Sequence, residues 1–283
     1  MQKRKGLATV ARLQAEQVDV SYENKQVLKN ISVDIPEGKI TSIIGPNGCG
    51  KSTILKSLSR ILTPEEGGVY LDGKSIHEMK TKEVAKNMAM LAQTPDIPLT
   101  LTVEQLVSFG RHPHRKRTRK LTAEDNEAIQ KAMTDTRVSE FASRTLDSLS
   151  GGQRQRAWIA MALAQDTDLL LLDEPTTYLD MAHQLEVLEL LQELNEKESR
   201  TIVMVLHDLN HAARFSDHLI AMCSGEVQCI GCPNDVICKN VLRQVFGIDA
   251  HVVTDPKSGK PLCMTYDLID RTPASATEIS KTN

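Results

Sequence analysis

The residues with the most chemistry to offer are Gly45, Pro46, Asn47, Gly48, Cys49, Gly50, Lys51, Ser52 and Thr53, which fit the pattern G-x-x-x-x-G-K-[ST]. Glycines let the backbone curl until consecutive N–H groups face one centre, and a following helix adds its positive end. Lys51 then reaches outer phosphates, and the Ser52 hydroxyl is placed to ligate magnesium. The flanks agree: Lys39 to Ile44 is strand-like, and Ser52, Ile54, Leu55 and Leu58 carry a helical spacing.

Carboxylates, an imidazole and an amide supply the rest. Asp173 and Glu174 close the apolar run Leu169–Leu172, as expected of a central strand covered on both faces. Side chains alternate along a strand, so the two acids point in different directions. Asp173 is suited to a magnesium shell and Glu174 to an attacking water. His207 ends the β-branched run Thr201–Leu206, at the carboxyl edge where open α/β sheets bind ligands. Gln93 ends a strand over Met88–Ala92; it is either a loop cap or a hinge whose amide reaches the metal or its water. Ser150, Gly151, Gly152 and Gln153 precede the apolar helix Ala157–Ala164. They form either a second anion site or a Ser cap with Gln at the third helical position. Tyr22 lies near the phosphate loop in sequence, to stack on an adenine or to pack on an edge strand. The Cys49 backbone serves phosphates; its thiol is a bystander unless exposed, in which case activity is alkylation-sensitive. Cys229, Cys232 and Cys238 have a metal-like spacing, but three local thiols with a Pro after Cys232 read as incidental.

The elements that must position these groups alternate as in an α/β protein. Strands are expected over Gln14–Tyr22, Val27–Ile35 and Val69–Gly73, forming an antiparallel β subdomain before the mostly parallel sheet. Residues 100–145 lack strands and carry helical spacing at Val103, Leu106 and Val107, so a helical subdomain is inserted at about 100–165. Within it, Arg111 to Lys120 is strongly basic: a solvated loop, or a surface facing acidic lipid headgroups or a membrane partner. Residues 1–13 read as a basic arm, 14–250 as the main domain and 251–283 as a small extension with a disordered tail.

Bulk properties narrow the class. The 283 residues are 40% hydrophobic and 25% charged, ordinary for a globular chain. A net charge of -3 and 3% aromatic residues argue against nucleic acid held by a positive field or by base stacking. The basic N-terminus lacks the apolar stretch of a secretory signal, and the six cysteines show no paired framework, which favours a reducing cytosol. Apolar runs fall short of the ~18 residues a membrane span needs, so a membrane role has to come through a partner.

In this order, the phosphate loop, Gln93, Leu149 to Gln153, Asp173-Glu174, Asp180 and His207 resemble the ATP-binding subunit of ABC transporters over roughly residues 14–250. The resemblance implies a P-loop NTPase core that hydrolyses ATP with magnesium. It implies that Tyr22 stacks on adenine, that Gly45 to Thr53 bind the phosphates, and that Ser52, Gln93 and Asp173 organise Mg2+. Glu174 would polarise the water, His207 would contact the γ-phosphate, and Asp180 would couple two sites. Ser150 to Gln153 would meet the γ-phosphate held by a second copy, in a head-to-tail dimer with two composite sites. It further implies integral-membrane permease subunits as separate chains, indirect work with an extracytoplasmic substrate-binding protein, and a peripheral place on the cytoplasmic face of the cell membrane. Gly110 to His114, Thr176 to Asp180 with His183-Gln184, and Asp255-Pro256 to Cys263 look like the iron(III)-siderophore importer ATPases, with haem and cobalamin importers as close relatives. Two other classes stay open: a non-transport ABC ATPase acting on ribosomes or DNA, which usually carries two cassettes or a coiled-coil insertion, and a small-molecule kinase, for which Leu149 to Gln153 and His207 would have no purpose.

Overall fold

Alternating side chains on a covered sheet have to fill two interiors at once. In the computed structural model, which describes residues 11–23, 25–93, 98–115 and 120–269, they do so. The chain starts with a hairpin, β1 (Ala11–Tyr22) and β2 (Lys25–Pro36), then β3 (Ile40–Ile44) and helix α1 (Lys51–Leu58). It returns through β4 (Glu66–Leu71) and β5 (Lys74–Ser75), then α2 (Thr81–Asn87) and β6 (Met88–Leu91). A helical stretch follows, with α3 (Val103–Phe109), α4 (Ala123–Asp135) and α5 (Gly151–Leu163). Next come β7 (Leu169–Leu172), α6 (Met181–Glu198), β8 (Thr201–Val205) and α7 (Leu209–Phe215). The last part holds β9 (His218–Cys223), β10 (Glu226–Gly231), α8 (Pro233–Val236), α9 (Lys239–Phe246) and the hairpin β11 (Ile248–Thr254)–β12 (Pro261–Leu268).

One sheet has the order β2-β1-β4-β5 and is antiparallel. The other has the order β10-β9-β3-β8-β7-β6, parallel except where β10 meets β9. On β7, Leu169 and Leu171 join the core that also holds Ile54, Leu55 and Leu58 of α1 and the inner face of the antiparallel sheet. Leu170 and Leu172 join the opposite core, with Leu106, Ile129, Trp158, Leu188 and Leu191 from the helices. All four are essentially inaccessible to solvent, which is why the run is unbroken Leu. Each such side chain contributes ~2 kcal/mol by burial, so β7 is fixed from both faces and its carboxyl end is a firm platform.

Two expectations need correction. The strand β1 begins at Ala11, not Gln14: Leu13 is fully buried, and Arg12 pairs with Asp72 at 3.4 Å and Asp168 at 3.1 Å. Residues 11–13 are therefore sheet, not arm. Nor is the basic run a uniformly solvated loop. Arg111 is buried, its Nε donating to Asp125 Oδ1 at 2.9 Å and its Nη1 to the Ala164 carbonyl at 2.9 Å. Asp125 in turn closes a capping box with Thr122 at the start of α4. Burial would raise the Asp125 carboxyl, but the Thr122 amide and the Arg111 guanidinium outweigh it and hold it below the ordinary aspartate value. The guanidinium thus joins the end of α5 to the start of α4. Residues 1–10, 116–119 and 270–283, which carry the rest of the arm, part of the basic run and the tail, lie outside the described residues.

Candidate active site

The parallel order β3-β8-β7-β6 sets four strand ends side by side, and each delivers a group that the sequence singles out. The phosphate loop follows β3, His207 lies just past β8, Asp173-Glu174 follow β7, and Gln93 lies just past β6. Gly45 has φ +154 and Gly50 φ +104; a Cβ on Gly45 would sit 2.2 Å from the Met222 carbonyl oxygen, so the loop admits no larger residue there. Gly50 caps α1 without a side-chain hydrogen bond, leaving the first-turn N–H groups of that helix to an external acceptor. Lys51 is buried, its ammonium donating to the carbonyls of Gly45 at 2.9 Å and Pro46 at 3.0 Å. Asn47 and Gly48 at the crown are exposed, while Thr53 is buried.

Asp173 is buried and accepts from the Ser52 hydroxyl at 2.9 Å. Burial pushes its carboxyl above the ordinary value; the Ser52 hydrogen bond opposes this and the neighbouring Glu174 charge adds to it. Two hard oxygen donors on rigid elements, joined to one another, have the chemistry that magnesium prefers. Gln93 Nε2 donates to Glu174 Oε2 at 2.6 Å, leaving the lone pairs of the amide oxygen to a metal or its water. The donor set fits the metal.

Glu174 sits in a cage. Thr177 Oγ1 donates to Oε2 at 2.9 Å, and His207 Nε2 lies 2.7 Å from Oε1, donating when that nitrogen carries its proton. Its φ is +54, a left-handed conformation that costs a non-glycine residue on the order of 1 kcal/mol. That turn, together with strand alternation, swings Glu174 away from Asp173. Thr177 lies in the family-like segment Thr176 to Asp180, yet nothing local marks its bond to the acid three residues before it. The Ser224-Gly225 turn that joins β9 to β10 buttresses the phosphate loop, a contact with no local signal: the Gly225 amide donates to the Cys49 carbonyl at 3.2 Å.

Cys49 takes the bystander alternative. Its side chain is only 4% exposed, and burial pushes the thiol up, against the lowering pull of Lys51. A protonated, enclosed thiol is a poor nucleophile, so alkylation sensitivity is not built in. Tyr22 ends β1 and is 44% exposed; it pairs with Lys25 of β2, whereas the pairing of β1 with β4 stops at Asp19.

Ser150 to Gln153 and Asp180 form a second constellation. Ser150 Oγ accepts from the Gln153 amide and Gln153 Oε1 from the Ser150 amide, a complete capping box on α5. Asp180 caps α6, accepting from the His183 amide at 2.9 Å and bonding His183 Nδ1 at 2.8 Å. Those two bonds hold the Asp180 carboxyl low. The His183 ring packs on Gly152, where a Cβ would fall 2.3 Å from Cδ2 and push the ring off its seat. Tyr178 and Met181 beside Asp180 are 92% and 76% exposed.

A phosphate loop on a parallel sheet, a caged acid at the next strand edge and an inserted helical block define a P-loop ATPase of the cassette type. The family described as ABC transporter matches residues 28–177. The chain is 56% identical over 257 residues to the "Iron(3+)-hydroxamate import ATP-binding protein FhuC" of Bacillus subtilis (strain 168), covering 91% of this chain and 96% of that one. It is 47% identical over 254 residues to the "Ferric enterobactin transport ATP-binding protein FepC" of Escherichia coli (strain K12), covering 90% and 94%. Among solved structures, the dimeric bacterial ABC transporter cassette MJ0796 superposes with a TM-score of 0.69 at 30% identity, covering 78% of this chain and 98% of the cassette; a post-hydrolysis state of that cassette holds ADP and Pi. This chain belongs to the ABC transporter family and is an ATP-hydrolysing member of it.

Proposed function

We propose that the chain energises a multi-subunit importer of iron(III)-siderophores, hydrolysing ATP at the edge built by β3, β8, β7 and β6. The observation that carries the catalytic half is Glu174, held by Gln93, Thr177 and His207 beside the Ser52–Asp173 pair. The relatives, named for hydroxamate and enterobactin transport, support the cargo class.

Phosphoryl transfer asks a protein mainly for positioning and charge stabilisation. The N–H groups from Gly45 to Thr53 and the Lys51 ammonium would cradle the phosphates, with Tyr22 against the adenine. Ser52, Asp173 and Gln93 would hold Mg2+, which neutralises charge on the phosphate oxygens. Glu174 would accept a hydrogen bond from the attacking water and orient it in line. His207, already at the Glu174 carboxylate, would turn its Nε2–H toward the γ-phosphate. Ser150 to Gln153 would close over that phosphate from a second copy, with Asp180 at the seam, so that ATP favours the closed dimer and its loss releases it. The dimeric cassette MJ0796 supports a two-copy assembly.

Among the described residues no helix is long and apolar enough to cross a membrane. The importer reading therefore requires separate permease chains, peripheral attachment at their cytoplasmic side, and a substrate-binding protein acting through them. The test is Glu174→Gln. Turnover is expected to fall by roughly 10² to 10⁴ while ATP affinity is kept, with an ATP-dependent dimer accumulating in sedimentation. A parental hydrolysis rate would remove Glu174 from its role. Affinity purification from membranes, read for co-purifying permeases and for ferric hydroxamate uptake, tests the importer half.

A further inference from the structure

The segment Asp255 to Cys263 stands apart from the site in sequence, yet it grips the helix that follows His207. Asp255 shapes the tip of the β11–β12 hairpin: its carboxylate accepts from the amides of Lys257 and Ser258 at 3.1 and 3.2 Å, and its carbonyl from Gly259 at 2.8 Å, with Gly259 at φ +69. The tip delivers Lys260 inward. Lys260 Nζ donates to the carbonyls of Arg214 at 2.9 Å and Ser216 at 2.8 Å, at the carboxyl end of α7 where backbone acceptors have no helical partner.

The other end of α7 is held by the same hairpin. Asn210, in its first turn, donates to the Cys263 carbonyl at 3.1 Å and accepts from the Cys263 amide at 2.8 Å. Both amide functions of Asn210 are thus committed to one residue of β12, and Cys263 is itself buried in the core. Past α7, the Ser216 hydroxyl bonds Ser42 on β3 at 2.6 Å, and Asp217 accepts from the Ile40 amide at 3.0 Å. The helix is a strut pinned to the strand that feeds the phosphate loop.

Such a strut matters because His207 has little else to hold it. Its side chain is 42% exposed, and its polar contact is Glu174, 2.7 Å from Nε2. Its place is therefore set by the backbone, through β8 on one side and the Asp208-capped start of α7 on the other. We propose that the C-terminal hairpin positions His207 for ATP hydrolysis through α7, with Asn210 and Lys260 as positioning residues. This rests on the role given to His207 above. The geometry predicts a loss in the chemical step and not in nucleotide binding, because neither residue belongs to the phosphate loop.

The experiment compares His207→Ala, Asn210→Ala and Lys260→Met in the full chain, with ATPase rates normalised to nucleotide-binding stoichiometry so that loss of folded protein does not count. His207→Ala should lower kcat by ~10². Asn210→Ala and Lys260→Met, at opposite ends of α7, should each lower normalised kcat by at least about threefold, with KM for ATP within about twofold of the parent. A hairpin that serves only the fold would reduce the binding-competent fraction and leave normalised kcat at the parental value. That result, or a rise in KM matching the fall in kcat, beside an inactive His207→Ala, overturns the strut alone. A parental rate in His207→Ala overturns the His207 role and the strut with it.

Discussion

Two glycine-rich turns each start a helix, and the structure treats them differently. At α1 the capping residue is Gly50, with no side chain to satisfy the first-turn amides, and the Lys51 ammonium is folded onto the loop's own carbonyls. At α5 the cap is Ser150, whose hydroxyl and the Gln153 amide oxygen satisfy backbone donors reciprocally. The first turn keeps its donors for an outside anion. The second has spent two of its contacts on itself and leans on His183 through Gly152. The lesson is that a glycine turn at a helix start is not one kind of site: what the capping side chain does decides how much binding capacity one chain retains.

The sharpest way to break this contrast is at the first turn. Lys51→Ala removes the ammonium held on the Gly45 and Pro46 carbonyls and proposed to reach the phosphates, so nucleotide affinity should fall by ~10² in a fluorescent-nucleotide titration. A dissociation constant near the parental one would mean that the α1 amides suffice alone. Ser150→Ala then probes the second turn. It should cost ~1 kcal/mol of stability from the lost cap, and leave ATP affinity of the monomer within about twofold. If the turn also closes over nucleotide from a second copy, steady-state turnover drops by about tenfold as well. A stability loss with unchanged turnover would reduce the second turn to a cap.

The smallest effect concerns the acid beside the first turn. Burial raises the Asp173 carboxyl, so the folded state takes up a proton more readily than the unfolded chain. Stability therefore falls as pH rises from the ordinary aspartate value of 3.8, and the penalty is present at neutral pH. Asp173→Asn keeps an acceptor for Ser52 and removes the charge. The nucleotide-free variant should unfold ~2–4 °C higher at pH 7, a gain of about 1 kcal/mol that shrinks toward acid pH. Calorimetry across pH, with no gain at neutrality, would show that the buried charge costs nothing.

Much of the site was legible because its signals are local. The phosphate loop, the acids after Leu172 and the polar residue closing each strand all lie where a short pattern ends, and a parallel sheet brings such ends together. Other features carried no local mark. Arg111 looked like part of a solvated basic run, because its partners Asp125 and Ala164 are distant in sequence. Asp180 capping α6 and Ser150 capping α5 follow from residue type, but their link through His183 and Gly152 needs two helix starts to meet in space. The helix α7 is short and polar at its start, so it gave no periodicity to read.

The sequence alone determined which groups could bind phosphate, ligate a metal and orient water, since those capacities belong to residue types and to the strand or glycine pattern beside them. Tertiary structure alone decided which groups touch: Gln93, Thr177 and His207 on one carboxylate, Ser52 on the other, and a distant hairpin at both ends of α7. The reason is range. Backbone propensity and periodicity act over a few residues, whereas a hydrogen bond between strands or helices is fixed only when the two cores on either side of β7 pack and the strand order is set.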